Sequence, residues 1–245
     1  MAVPDLNFGD LLEAVAESIP DRPAIIYGDH LVSWREFDQR SNRLARNLAA
    51  AGLKPGSKVA FYLRNSPAYL ELFSACAKGR FTHANVNYRY VDHELFHILD
   101  NSDAEAVVFD ASYAEQIQSL QPRLSKVKTY LALGEDTLND FSEDFETACC
   151  EGDDSSLDVQ RSGDDQYFMY TGGTTGYPKA VVWRHKDRIA VIGMTDAQDA
   201  QSHGRQVKAS PGPAVLPACP LMHSTGLTTA MVTLVSGGCI VLLPN

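Results

Sequence analysis

The chain has 245 residues, 44% of them hydrophobic and 21% charged, enough to build a proper core in one large domain or two modest ones. Its formal net charge of -10 argues against generic nucleic-acid binding. "MAVPDLNFGD" lacks the pattern of a signal peptide, and the apolar runs "AVIGMT" and "TTAMVTLVSGGCIVLL" are too broken to span a bilayer. Cys76, Cys149, Cys150, Cys219 and Cys239 form no CxxC pair, so reduced thiols and a cytoplasmic location are expected rather than a disulfide frame or zinc site.

The first clear unit is "VSWREFDQRSNRLARNLAAAGLKPGSKVAFYL". Ser33 and Glu36 are spaced as a capping box, Phe37, Leu44, Ala45 and Leu48 share one helical face, and Gly52 ends the helix. "KVAFYL" reads as a buried strand, and "NSPAYLELFSACAKG" as a helix with Pro67 in its first turn and Gly79 at its stop. The pattern continues with "THANVN" extended, "DHELFHILDNS" helical, "EAVVFD" a strand, "YAEQIQSLQPRL" helical and "VKTYLAL" a strand. This alternation predicts an α/β fold of stacked βαβ units around mainly parallel sheets. Residues 151–165, acidic and rich in Gly and Ser, read as a solvated linker between a first α/β subdomain, 1–150, and a second, incomplete segment, 166–245. "QSHGRQVKASPGPA" reads as a polar loop, and "GGCIVLLPN" stops just after a strand, as if cut.

The chemistry is concentrated in "YFMYTGGTTGYPKAVVW", Tyr167 to Trp183. Glycines let backbone N–H groups approach an anion, the threonines offer hydroxyls to phosphate or magnesium, and Lys179 brings a mobile positive charge. An ordinary P-loop places Lys directly after Gly and Ser/Thr after it, whereas here Pro178 precedes Lys179 and Ala180 follows. A surface hairpin is the bland alternative, disfavoured by buried strands expected on both sides.

"YTGGTTGYPKA" resembles the signature loop of the adenylate-forming superfamily, whose usual form is close to YTSGTTGxPKG. Gly172 stands where Ser is common, and Ala180 where Gly is common. The unit from Val32 to Gly79, "HANVNYRYVDHELFHILDNSDAEAVV" and "LPACPLMHSTGL" are similar to further family segments, so the likeness runs along almost the whole chain. It implies part of an αβαβα-like N-terminal domain that works with ATP, Mg2+ and CoA. Thr171, Gly172, Gly173, Thr174, Thr175, Gly176 and Lys179 would hold the ATP phosphates, with Thr175 as a magnesium ligand.

The resemblance also places His223 near the acyl substrate and the thiol entry, orienting or gating without forming a covalent bond. By itself, a His beside Ser, Thr and Gly is more often a helix-end hydrogen bonder. Met222, Thr225, Gly226, Thr229 and Met231 are candidates for an acyl pocket or for the core. No Gly-x-Ser-x-Gly elbow supports a hydrolase. "HELFH" matches HExxH at His93 and His97, but it lies inside a family-matching helix and reads as a chance likeness to a zinc site.

The expected parent is an acyl-CoA synthetase acting on a carboxylic acid, with the loop and "PLMHSTGL" most like the bacterial fatty-acyl and steroid side-chain branch. An aryl-CoA ligase, an amino-acid adenylation domain and a non-catalytic interaction module are the rivals. The resemblance places the adenine-binding segments and the catalytic lysine of a small C-terminal domain outside these residues, so the isolated chain is expected to be inactive or nearly so. A homodimer is a candidate assembly. Neither a nucleic-acid partner nor a membrane span is expected.

Overall fold

A computed structural model of the chain describes residues 5–134, 140–172, 176–193 and 196–244. The chain opens with α1 (Phe8–Ser18), which begins with a complete capping box between Asn7 and Asp10 and buries Phe8, Leu11, Leu12 and Val15. An antiparallel pair, β1 (Pro23–Tyr27) and β2 (His30–Ser33), follows. Then come α2 (Trp34–Ala50), β3 (Lys58–Tyr62), α3 (Pro67–Gly79), β4 (Thr82–Asn85), α4 (Asp92–Asn101) and β5 (Ala104–Asp110). After a 3-10 turn lie α5 (Ala114–Leu120), β6 (Thr129–Leu133), β7 (Glu143–Asp144) and α6 (Phe145–Cys150). The rest comprises β8 (Gln166–Thr171), β9 (Lys179–Arg184), α7 (His185–Val191), α8 (Ala200–Ala209), β10 (Ala214–Val215), α9 (Ser224–Val235) and β11 (Cys239–Leu242).

The strands form two sheets. A seven-stranded sheet has the order β7-β6-β5-β3-β4-β8-β9, parallel throughout except for the β8–β9 pair. A four-stranded sheet has the order β10-β11-β1-β2, with β1 and β10 both parallel to β11. The fold is therefore α/β with mainly parallel sheets, as expected, and both sheets draw strands from either side of residues 151–165. The larger core joins α1, α2, α3, α6 and α9 with strands of both sheets, and the smaller one lies beneath α4 and α5.

Several local expectations are refined. Ser33 Oγ accepts the Glu36 backbone N–H at 3.1 Å, so only one half of that capping box forms. The stop of α3 uses Arg80, not Gly79, in the left-handed region (φ 60). Gly79 is needed for a different reason, because a Cβ there would meet the Phe81 ring at 2.4 Å. Most of the polar stretch at 201–214 is helix rather than loop: Asp199 and Ser202 form a full capping box, and α8, ending at Ala209, buries His203, Gly204 and Val207. Residues 151–165 are tied down rather than freely solvated. Asp154 pairs with Arg43 at 2.6 Å, and Arg161, 7% exposed, pairs with Asp10 at 3.2 Å and Glu13 at 2.5 Å. Strand β9 is an exposed sheet edge rather than a buried strand, with Val181 and Val182 43% and 52% exposed.

Candidate functional site

The candidate phosphate loop lies between the carboxyl end of β8 and the start of β9, where Thr171 pairs with Lys179. β8 is well anchored: Tyr167, Met169 and Tyr170 are buried, and the Tyr170 hydroxyl donates to Asn101 Oδ1 at 2.9 Å. Burial raises the Tyr170 phenol to about 12, so this contact is made by a neutral donor. Of the expected loop residues, Thr171, Gly172, Gly176 and Lys179 are described and exposed. Gly173, Thr174 and Thr175, including the expected magnesium ligand, lie outside the described residues. Gly176 has φ 142, a backbone conformation that glycine adopts freely. Gly172 is under no such demand. A Cβ there would meet only the Tyr90 hydroxyl at 3.7 Å, so the serine usual in the resembling loop would fit.

His223 sits at the N-terminal boundary of α9 in extended conformation, and its side chain makes no capping bond. Its backbone N–H donates to Pro220 O at 3.0 Å, closing a tight turn. Gly226 follows where the helix packs directly on this turn, since a Cβ there would lie 2.2 Å from Pro220 O. Two asparagines from the carboxyl edge of the large sheet hold the turn in place. Asn65 Oδ1 accepts the Leu221 N–H at 2.8 Å, and Asn85 Nδ2 donates to Met222 O at 2.7 Å.

Asn85 does more than this. The backbone pairing of β4 with β8 is recorded at Ala84 and Phe168, and the Asn85 side-chain amide prolongs it as a peptide group would. Its Oδ1 accepts the Tyr170 N–H at 2.5 Å, and its Nδ2 donates to Tyr170 O at 3.2 Å. One buried amide thus ties the strand that leads into the candidate phosphate loop to the turn that carries His223. The result is a cavity of about 240 Å³ lined by Thr171 and Gly172 at the end of β8, by Met222, His223 and Ser224 of the turn, and by Asn85, Asn87 and Tyr90. Reading the sequence found Thr171, Gly172 and His223 but missed Asn85 and Asn65. The available signal was a polar amide at, or just beyond, the end of each of two extended segments, in "FYLRN" and "THAN".

The five acyl-pocket candidates divide. Met222 lines this cavity, while Met231 packs in the core beside Leu227 and Leu234. Thr225 and Thr229 face a separate open groove with Arg188, Thr228 and Val232. A larger cavity of about 770 Å³ opens elsewhere, lined by Arg40, Arg64 and Ser66 but also by Glu36, Glu71, Asp110 and Glu146. That excess of carboxylates disfavours a phosphate ligand there. Among the described residues, no group of three or more His, Cys, Asp or Glu side chains is placed to hold a metal ion, and no helix is long and apolar enough to cross a membrane.

The family described as AMP-binding enzyme matches residues 12–245. This chain belongs to the AMP-binding enzyme family. A 3-oxocholest-4-en-26-oate--CoA ligase of Rhodococcus rhodochrous is 35% identical over 98% of the chain and 45% of its own length. A medium/long-chain-fatty-acid--CoA/3-oxocholest-4-en-26-oate--CoA ligase of Mycobacterium tuberculosis is 33% identical over 98% of the chain and 46% of its own length. The chain spans about half the length of the curated relatives it matches. Among solved structures, the anthranilate CoA ligase AuaEII in complex with anthranoyl-AMP superposes with a TM-score of 0.85 at 19% identity, covering 100% of this chain and 46% of that one. The N-terminal domain of FACL13 from Mycobacterium tuberculosis, inhibitor bound, gives 0.81 at 24% identity, covering 98% and 57%. At these identities the likeness is one of fold alone.

Proposed function

We propose that this chain supplies the phosphate-binding and acyl-proximal part of an ATP-dependent acyl-CoA synthetase acting on fatty-acyl or steroid side-chain acids. The observation that carries this reading is the single cavity shared by the base of the phosphate loop and His223, with Asn85 joining the two walls. The relatives named as ligases of a steroid acid and of medium- and long-chain fatty acids support the substrate class.

In the proposed reaction a carboxylate oxygen attacks the α-phosphorus of ATP and pyrophosphate leaves, giving a mixed acyl-phosphate anhydride. The CoA thiolate then attacks the acyl carbon, forming the thioester and releasing AMP. Lys179, at the start of β9, would balance phosphate charge, and backbone N–H groups with the threonine hydroxyls would hold the phosphate oxygens. Mg2+ would enter with ATP, with Thr175 as its protein ligand. His223, exposed and free of a capping bond, would border the acyl group and the arriving thiol.

Among the described residues, no acidic, lysine or arginine side chain lines the cavity. Charge developing on phosphorus would thus be met mainly by Lys179 and the loop, and we expect these 245 residues alone to turn over poorly. ATP–pyrophosphate exchange with a panel of fatty, steroid and aryl acids tests both points. The reading predicts trace exchange by this chain and, for a longer protein containing it, exchange driven by fatty or steroid acids. Exchange driven only by aryl or amino acids would overturn the substrate class, and robust exchange by this chain would overturn the dependence on further residues.

A further inference from the structure

The second histidine of "HELFH" has a place in the fold that no zinc reading explains. His97 lies on α4, on the far side of the sheet from α3, and reaches the segment that follows the phosphate loop. Its Nε2 lies 3.2 Å from Pro178 O. A carbonyl only accepts, so Nε2 carries the proton and donates. The same ring stacks on Tyr177, with centroids 4.5 Å apart and planes 28° from parallel. Tyr177 is 59% exposed, so this stacking is a substantial contact for a side chain otherwise facing solvent.

We propose that His97 is a positioning residue that holds the exit of the phosphate loop and thereby the starting point of Lys179. The backbone around Lys179 would then be fixed from two directions. Across the strands, Lys179 pairs with Thr171. Immediately before it, Pro178 contributes no N–H to any ladder, and its carbonyl is held by His97 instead. β9 is an edge strand, and although Pro178 is buried and Ala180 packs on the smaller core, the Lys179 side chain itself is exposed and gains no packing of its own. A ring that both donates and stacks compensates for that lack. His93, one turn earlier on α4, is exposed and is not part of this contact.

The functional consequence rests on the phosphate-binding reading of the loop, but the contact can be tested without it. Trypsin cleaves after Lys179, and cleavage between Lys179 and Ala180 can be followed by mass spectrometry on the folded chain. Three variants separate the two interactions: His97→Ala removes both, His97→Phe keeps a stacking ring, and His97→Gln keeps a side-chain N–H donor. His97→Ala is expected to speed cleavage at this bond roughly threefold to tenfold, the range for loss of one net hydrogen bond. His97→Gln should recover more than half of the protection, and circular dichroism should show all three variants folded.

MgATP affinity, measured in parallel by calorimetry, should weaken by a similar factor in His97→Ala and recover in His97→Gln. Unchanged cleavage in His97→Ala overturns the proposal, and so does full protection by His97→Phe with none by His97→Gln, because stacking alone would then account for the contact. If the unaltered chain binds no ATP while cleavage follows the expected order, the clamp stands and the phosphate-binding reading fails.

Discussion

At the scale of single residues, Asn85 is the side chain on which the site most depends. It is 3% exposed, and both amide hydrogens and the carbonyl oxygen are engaged, two of the three contacts with the Tyr170 peptide and one with Met222. Asn85→Ala leaves one N–H and two carbonyls without that partner in a buried setting. The expected loss of stability is about 3 kcal/mol in urea denaturation. Asn85→Asp should be no milder, since a carboxylate would oppose the carbonyls of Tyr170 and Met222 while still accepting from Tyr170 N–H. A loss below about 1 kcal/mol for both would show that the amide is not what joins the two walls. Little of this was legible beforehand: the glycines, threonines and lysine of the loop announce themselves by type and spacing, but a structural asparagine offers only the weak signal of an amide at a strand end. Its role arises from two segments 137 positions apart meeting at one amide.

At the scale of elements, α3 shows how far the physics of burial overrides local pattern. Ala68 through Gly79 are all buried, including Glu71 and Lys78. Glu71 receives a bidentate contact from Arg40 of α2, at 2.8 and 3.1 Å, and burial pushes its carboxyl above the ordinary carboxylate range. Lys78 is held by Asn42 at 2.7 Å and by the Asp38 carboxylate, while burial pulls its ammonium below the ordinary range. Removing one partner strands the other charge, so Arg40→Ala should destabilise the chain by roughly 3–5 kcal/mol. The double variant Arg40→Met with Glu71→Leu should regain most of that loss in the same denaturation assay. A double variant as unstable as Arg40→Ala would contradict a charge-based cost.

The βα alternation from α2 to β6 was readable because turn residues punctuate it and each apolar run has one clear period. α8 was not, since its outward face is polar and its buried positions are a histidine, a glycine and one valine. β9 was misjudged for the opposite reason: Val181 and Val182 look like core residues, yet the sheet ends there.

At the scale of the whole molecule, the large core contains two neutral histidines among aromatic rings. His83 packs against Phe61 at 4.3 Å and Phe73 at 5.7 Å, and His185 against Phe8 at 5.1 Å and Tyr167 at 5.9 Å. Burial lowers them to about 3 and about 4, from an ordinary value of 6.5. As pH falls below 6.5 the unfolded chain takes up these protons first, so stability is full above about pH 6.5 and lost progressively toward pH 4 and below. Each histidine should contribute a slope approaching 1.4 kcal/mol per pH unit in that window. His185→Gln keeps an acceptor for the Phe8 N–H, which His185 Nδ1 receives at 3.2 Å, and should remove one such slope. An unchanged slope in that variant would place the acid sensitivity elsewhere. These histidines were visible in the sequence only as isolated residues, because their surroundings come from α1, α3, β3, β8 and α7 together.

The same molecule-wide convergence underlies the functional reading, in which strand ends, a turn and a loop combine into a phosphate site. Titration calorimetry of the chain with MgATP, alongside Lys179→Ala, tests that reading most directly. The account predicts saturable binding by the unaltered chain, weakened at least tenfold in Lys179→Ala while its melting temperature is unchanged. Absence of binding heat, or equal affinity in the two proteins, would contradict it.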